Sequence, residues 1–207
     1  MKEIMPESRK DSIHSLAEQA QIFCLHEDAS LPSSHQAVLD LANKSKRLLA
    51  ENELIVLCEK SGCDPQKLVE LEKQLPNLVD KAKEDLLKKK PAITAPGGSL
   101  YPNDRAEACW RDCFHFARIS IYGTAAGNVN ITDKKGLEAL RELYLLLEVP
   151  LEALIICLEQ LQNRCGELLS QLGANKDEKL LRGCFQHLNE KITSFQSKNT
   201  SKDQEST

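Results

Sequence analysis

The sequence predicts an all-α fold. Three observations carry this. Apolar residues recur at three- and four-residue steps, no stretch shows the apolar–polar alternation of a half-buried strand, and proline- and glycine-rich breaks separate the periodic segments. Six or seven helices of about two to five turns, joined by loops rather than tight hairpins, indicate a globular helical domain more than a four-helix bundle.

Residues 1–34 read as a partly disordered N-terminal appendage. Within it, "DSIHSLAEQAQIFCL" suits a short amphipathic helix with Ile13, Leu16, Ala17, Ala20 and Phe23 near one face, and "HEDASLPSSH" suits a linker. The main domain spans 35–195. Its first helical stretch, 35–60, is marked by Val38, Leu41, Leu48, Leu49, Ile55 and Val56. "SGCDP" then breaks the chain, with Asp64 as N-cap and Pro65 as first position of the next helix.

In that helix Leu68, Leu71, Leu75, Leu78, Val79, Ala82 and Leu86 keep helical spacing, and Pro76 is expected to kink or divide it. The basic run "KEDLLKKKP" closes it, with lysines complementing the helix dipole. "PAITAPGGSLYP" is a loop. Asp104 and Glu107 suggest a capping box for a helix over about 104–122. "GTAAGNVNIT" is a turn-rich gap. Helices over Lys134–Glu148 and Leu151–Gln171 follow, the second started by Pro150. "GANKDE" breaks the chain again before a last helix over about 178–195. The tail 196–207 has no apolar residue and is expected to be disordered.

The 207 residues suffice for one domain with a substantial core plus appendages. Apolar content is 41% and charged content 28%, an ordinary soluble composition. No apolar run reaches the roughly 20 residues of a membrane span. The first fourteen residues lack the apolar stretch of a signal peptide. An intracellular, soluble, non-spanning protein is expected. The net charge of -4 argues against a nucleic-acid partner, which needs a basic surface. No glycine fingerprint, P-loop or GxSxG appears, and no acid–base pair suggests an enzyme.

Eight cysteines are dispersed along the chain without a CxxC. With no sign of an oxidising compartment, a disulfide framework is not expected, and Cys58 and Cys63 lack a second pair at zinc-finger spacing. Most of these thiols suit small buried hydrophobes. Cys109 is different in its company. At 100° per residue, Arg105, Cys109, Asp112 and Phe116 fall on one stripe, at steps of four, three and four, with Arg111 to the side. The stripe offers a thiol, a carboxylate, a guanidinium and a ring, a set suited to a large flat ligand with nitrogen donors and carboxylate arms. The same pattern also suits a core cysteine flanked by solvated charges. Nucleophilic use of Cys109 would need a base, and His115 lies about 120° around the helix. Haem ligation by His115, His187 or His35 is a further alternative.

The pattern Pro91, Pro96-Gly97-Gly98, Tyr101, Cys109-Trp110-Arg111-Asp112, Arg118, Tyr122-Gly123, Ala126-Gly127-Asn128, Gly136-Leu137, Arg141-Glu142-Leu143-Tyr144 and Pro150, with "KRLLAENEL" upstream, resembles the phycobiliproteins, most closely the allophycocyanin type. The resemblance covers about residues 40–172. It implies a globin-like helical domain preceded by a helical hairpin that makes a heterodimer, as in phycocyanin. It also implies a linear tetrapyrrole of the phycocyanobilin type, held by thioether at Cys109. Asp112 would face the pyrrole nitrogens and Arg111 would bind a propionate. Arg105, Phe116 and Tyr122 complete the expected contact set.

The implied role is light harvesting or its regulation, in the cytoplasm at the thylakoid surface. Implied partners are other phycobiliprotein subunits or phycobilisome linker proteins, in a homo- or hetero-oligomer. The sequence departs from the family pattern at His115, Phe116, Asn128, Asn43 and Leu48. Loss of a partner-facing charge at Asn43 weakens specific pairing. A pigment-free interaction protein of the same fold is the alternative expectation.

Overall fold

The periodic segments resolve into eight α-helices in a computed structural model that describes residues 7–197. They are α1 (Glu7–Gln19), α2 (Ser33–Lys44), α3 (Glu51–Ser61), α4 (Pro65–Lys89), α5 (Asn103–Ala126), α6 (Lys134–Leu146), α7 (Leu151–Gln171) and α8 (Asn175–Ser197). Short 3-10 turns lie at Leu25–Glu27 and Pro91–Thr94. Among the described residues there is no strand, only an isolated bridge between Phe23 and Thr132.

Helix α5 is the axis of the fold. Every residue from Phe116 to Ala126 is buried, so its C-terminal half is covered on all sides, as expected of a central helix. Helices α3, α4, α7 and α8 pack around it, and α7 pairs with both α4 and α8. Leu68, Leu71 and Leu75 of α4, Leu158 and Leu161 of α7, and Phe185 and Leu188 of α8 are fully buried in this core.

Several boundaries differ from the sequence expectations, each for a physical reason. Helix α5 runs on through Gly123 and stops at Gly127, whose φ of 74° is the left-handed cap that glycine accepts without strain. Gly123 is thus a packing residue and not a breaker. A Cβ there would lie 2.4 Å from the Ile131 side chain and 2.8 Å from Cys184 Sγ. Gly123→Ala should therefore lower the melting temperature, although Gly→Ala in a helix ordinarily gains about 0.5–1 kcal/mol. Thermal unfolding followed by circular dichroism reads the sign, and a raised melting temperature would refute the packing role.

The Asp104–Glu107 capping box does not form. Helix α5 starts after Pro102 with no side-chain cap. Pro76 does not divide α4, which is one element with Leu75, Leu78 and Val79 buried on either side of the proline. Asp64 does cap α4, accepting from the Gln66 and Lys67 amides. The stretch 35–60 is broken at 45–50 without proline or glycine. There Lys46 takes a φ of 51°, and the Arg47 guanidinium donates to both Glu53 oxygens at 2.6 Å. Glu53 also accepts the Ala50 amide at 2.7 Å, so local capping ends one helix and starts another.

The expected helix over 11–25 ends at Gln19, and Ile22, Phe23 and Leu25 beyond it are buried in the core. Of the segment read as a linker, Leu31 and His35 are buried, and α2 already starts within it at Ser33. At the other end α8 takes in Gln196 and Ser197. The rest of the tail expected to be disordered, 198–207, lies outside the described residues, as do residues 1–6. No helix among the described residues is long and apolar enough to cross a membrane.

Under the α2–α3 turn, Glu72 is 6% exposed and accepts the Leu49 amide at 3.0 Å. Burial pushes its carboxyl up to about 7, with nearby Glu53 adding to the rise and Arg47 opposing it. The folded state therefore favours the protonated acid. Its contribution to stability is full below about pH 4.5 and is lost as pH rises to about 7. The total is of the order of 3 kcal/mol. In urea titrations across this range, Glu72→Gln should flatten the decline. An unchanged slope would mean that Glu72 is not the group responsible.

Candidate functional site

One cavity of about 530 Å³ lies against the N-terminal half of α5. This falls within the range of small-molecule sites. The stripe read from the sequence faces it: Arg105, Cys109, Asp112 and Phe116 all line it. Arg111, placed to one side by helical geometry, is exposed and reaches the same cavity. Tyr122 does not line it. Thirteen residues beyond Cys109 it points elsewhere, fully buried, with its ring edge-on to Phe23 at 5.4 Å. Its hydroxyl donates to the Arg47 carbonyl and accepts from Arg118 at 2.8 Å. It holds the α2–α3 turn in place.

Cys109 is 5% exposed. Behind it Cys113 is fully buried, and its thiol is held well above the ordinary range by the neighbouring Cys109 and Cys157 thiols and by burial. Among the described residues Cys109 is the one cysteine that borders the cavity. Asp112 accepts the Tyr144 hydroxyl at 2.8 Å. Burial raises its carboxyl above the ordinary value, while Tyr144, Arg111 and Lys46 pull it back down. Tyr144 is itself buried, with its ring edge-on to Phe195 at 6.5 Å, so the Asp112 carboxylate is held from a rigid base. Arg105 donates to the Glu148 carbonyl at 2.6 Å, which ties the start of α5 to the turn after α6.

The lining also holds residues that sequence reasoning did not assign to the site: Asn43, Lys46, His115, Arg118 and Tyr144. His115 carries a buried Nδ1 with no hydrogen-bond partner. Burial lowers its pKa to about 4, helped by Arg118, Lys46 and Arg111, so the ring is neutral at pH 7 and free to donate or accept. Four cations, Lys46, Arg105, Arg111 and Arg118, face two carboxylates, Asp104 and Asp112. No single-sequence signal marks Lys46, because the unmarked break at 45–50 brings it to the cavity, while His115 stood out only as a possible base or haem ligand and as a departure from the family pattern. Tyr144 was visible only as part of a motif.

Fold and site together define a helical protein with a polar-rimmed, ligand-sized cavity on its central helix. The comparisons with known proteins agree with this class and sharpen it. Residues 38–192 match the family model described as phycobilisome protein. The chain is 33% identical over 129 residues to allophycocyanin subunit beta-18 of Porphyra purpurea, covering 62% of this chain and 76% of that one. It is 34% identical to allophycocyanin subunit alpha-B of Synechocystis, covering 54% and 67%. Among solved structures it resembles a far-red fluorescent biliprotein derived from an allophycocyanin F subunit of Chroococcidiopsis thermalis. That likeness has a TM-score of 0.52 at 25% identity and covers 62% of this chain and 98% of the other. The chain belongs to the phycobilisome protein family, as a divergent member with the globin-like helical fold.

Proposed function

We propose that this phycobilisome protein holds a linear tetrapyrrole of the phycocyanobilin type, joined by thioether to Cys109, and serves light harvesting or its regulation. One observation carries the reading. Cys109 and Asp112 share one wall of a cavity of about 530 Å³ whose rim carries an excess of positive charge. The donor set fits such a group. Arg111, Arg105 and Lys46 suit its carboxylate arms, and Asp112 suits its inner N–H groups. The unpartnered His115 Nδ1 suits a further polar edge. Phe116 and Ile119 supply apolar contact.

The covalent step is an addition. The Cys109 sulfur bonds to an exocyclic alkene carbon and the thiol proton ends on the adjacent carbon, with no leaving group and no oxidant. A bound bilin supplies the visible absorption, and the protein supplies tether, clamps and electrostatics. Charge-assisted hydrogen bonds contribute about 1.5–3 kcal/mol each, so a few suffice to restrict the rings.

This reading places the protein in the cytoplasm at the thylakoid surface, among other phycobiliprotein subunits or linker proteins. Family membership and the exposed Leu41 of α2 and Ile55 of α3 support that. Expression in cells that make phycocyanobilin tests the reading. A band that fluoresces with zinc on a denaturing gel is expected. A colourless protein under the same conditions would favour the pigment-free alternative.

A further inference from the structure

We propose that α1 is a hinged cover of the ligand cavity, swinging out to admit a ligand and closing over it afterwards. The proposal rests on the cavity being the ligand site. Helix α1 lies outside the 38–192 family match, yet Ile13 and Ala17 form part of the cavity wall. It packs on α6 but has no buried residue of its own. Its tie to the body is the Arg9 guanidinium, which donates to the Leu146 carbonyl at 2.9 Å. Its remaining side-chain bonds, such as Ser12 to the Ser8 carbonyl and Gln19 to Ser15, stay within the helix.

The next residues are fixed. Ile22 and Phe23 are buried, the Asp133 amide donates to the Ile22 carbonyl at 2.7 Å, and the Cys24 amide donates to the Ile131 carbonyl at 3.2 Å. Gly136 backs so closely on this segment that a Cβ would meet the Gln21 carbonyl at 2.3 Å. A loosely seated helix of 13 residues thus adjoins a locked anchor, which places the hinge at 20–21. Segments with few buried contacts open at low free-energy cost, whereas the core opens only on global unfolding. When closed, Ile13, Ala17 and Ala20 offer apolar cover to the rings beneath. In this closed state Cys109 is only 5% exposed.

Alkylation of the full-length apoprotein tests the hinge without any pigment. Iodoacetamide is added, and the rate at Cys109 is followed by peptide mass in wild type, Ile13→Asp and Arg9→Ala. Buried Cys157 serves as the monitor of global unfolding. Both variants should raise the Cys109 rate at least about fivefold and leave Cys157 unchanged, while hydrogen exchange in wild type should run faster in α1 than in α6. Equal Cys109 rates in all three proteins would overturn the cover. A faster rate in variants that still take up no added phycocyanobilin would support the cover and count against the pigment instead.

Discussion

Cys109→Ser should abolish covalent pigment, although seven other cysteines remain. The change swaps sulfur for oxygen at nearly constant shape, so a well-folded but colourless protein is expected. The other thiols cannot substitute because, although Cys109 is buried too, it alone among the described cysteines borders the cavity. Cys58, Cys63, Cys113, Cys157, Cys165 and Cys184 are buried, and Cys24 is half-buried. Burial pushes Cys58, Cys165 and Cys184 up to about 12. Cys24 is pushed up to about 11, by burial and then by Asp133, Asp28 and Glu27. At neutral pH these groups present almost no thiolate, the reactive form. The check is zinc fluorescence on a denaturing gel, with melting temperature as the folding control. Full colour in the folded variant would move the attachment point elsewhere.

Asp112→Asn should leave the pigment attached and change its colour. The substitution keeps the shape and the Tyr144 contact but removes the negative charge facing the cavity. A protonated tetrapyrrole would then lose a charge-assisted partner worth about 1.5–3 kcal/mol. That corresponds to roughly one to two pH units in the proton affinity of the bound pigment. The carboxylate favours the cation, so its removal must lower the pigment pKa. The variant should therefore lose its long-wavelength band at a lower pH than wild type. Absorbance titration reads the shift directly, and superimposable titration curves would show that Asp112 does not face the pyrrole nitrogens.

Much of the fold was legible in the sequence, because α4, α6 and α7 carry uninterrupted apolar periodicity and Asp64, Pro65 and Pro150 mark their ends. The stripe of Arg105, Cys109, Asp112 and Phe116 was legible for the same reason, since helical geometry alone sets which residues share a face. What was hidden depends on tertiary contacts. The break at 45–50 comes from Arg47 and Glu53 and not from a breaker residue. Gly123 looked like a turn signal because nothing in the sequence shows how closely Ile131 and Cys184 approach it. Tyr122 looked like a site residue but serves the α2–α3 turn instead. Residues 20–25 looked like the end of an amphipathic helix, yet the helix stops at Gln19, and Ile22, Phe23 and Leu25 bury themselves in the core beyond it, as does Leu31 of the expected linker.

The most direct measurement is the mass of the tryptic peptide Ala106–Arg111, released from protein isolated from cells that make their own bilins. Because the thiol adds without a leaving group, the peptide should be heavier by the full mass of one linear tetrapyrrole. A bare Cys109 thiol at full occupancy would contradict the pigment and leave an interaction protein with an open cavity on its central helix.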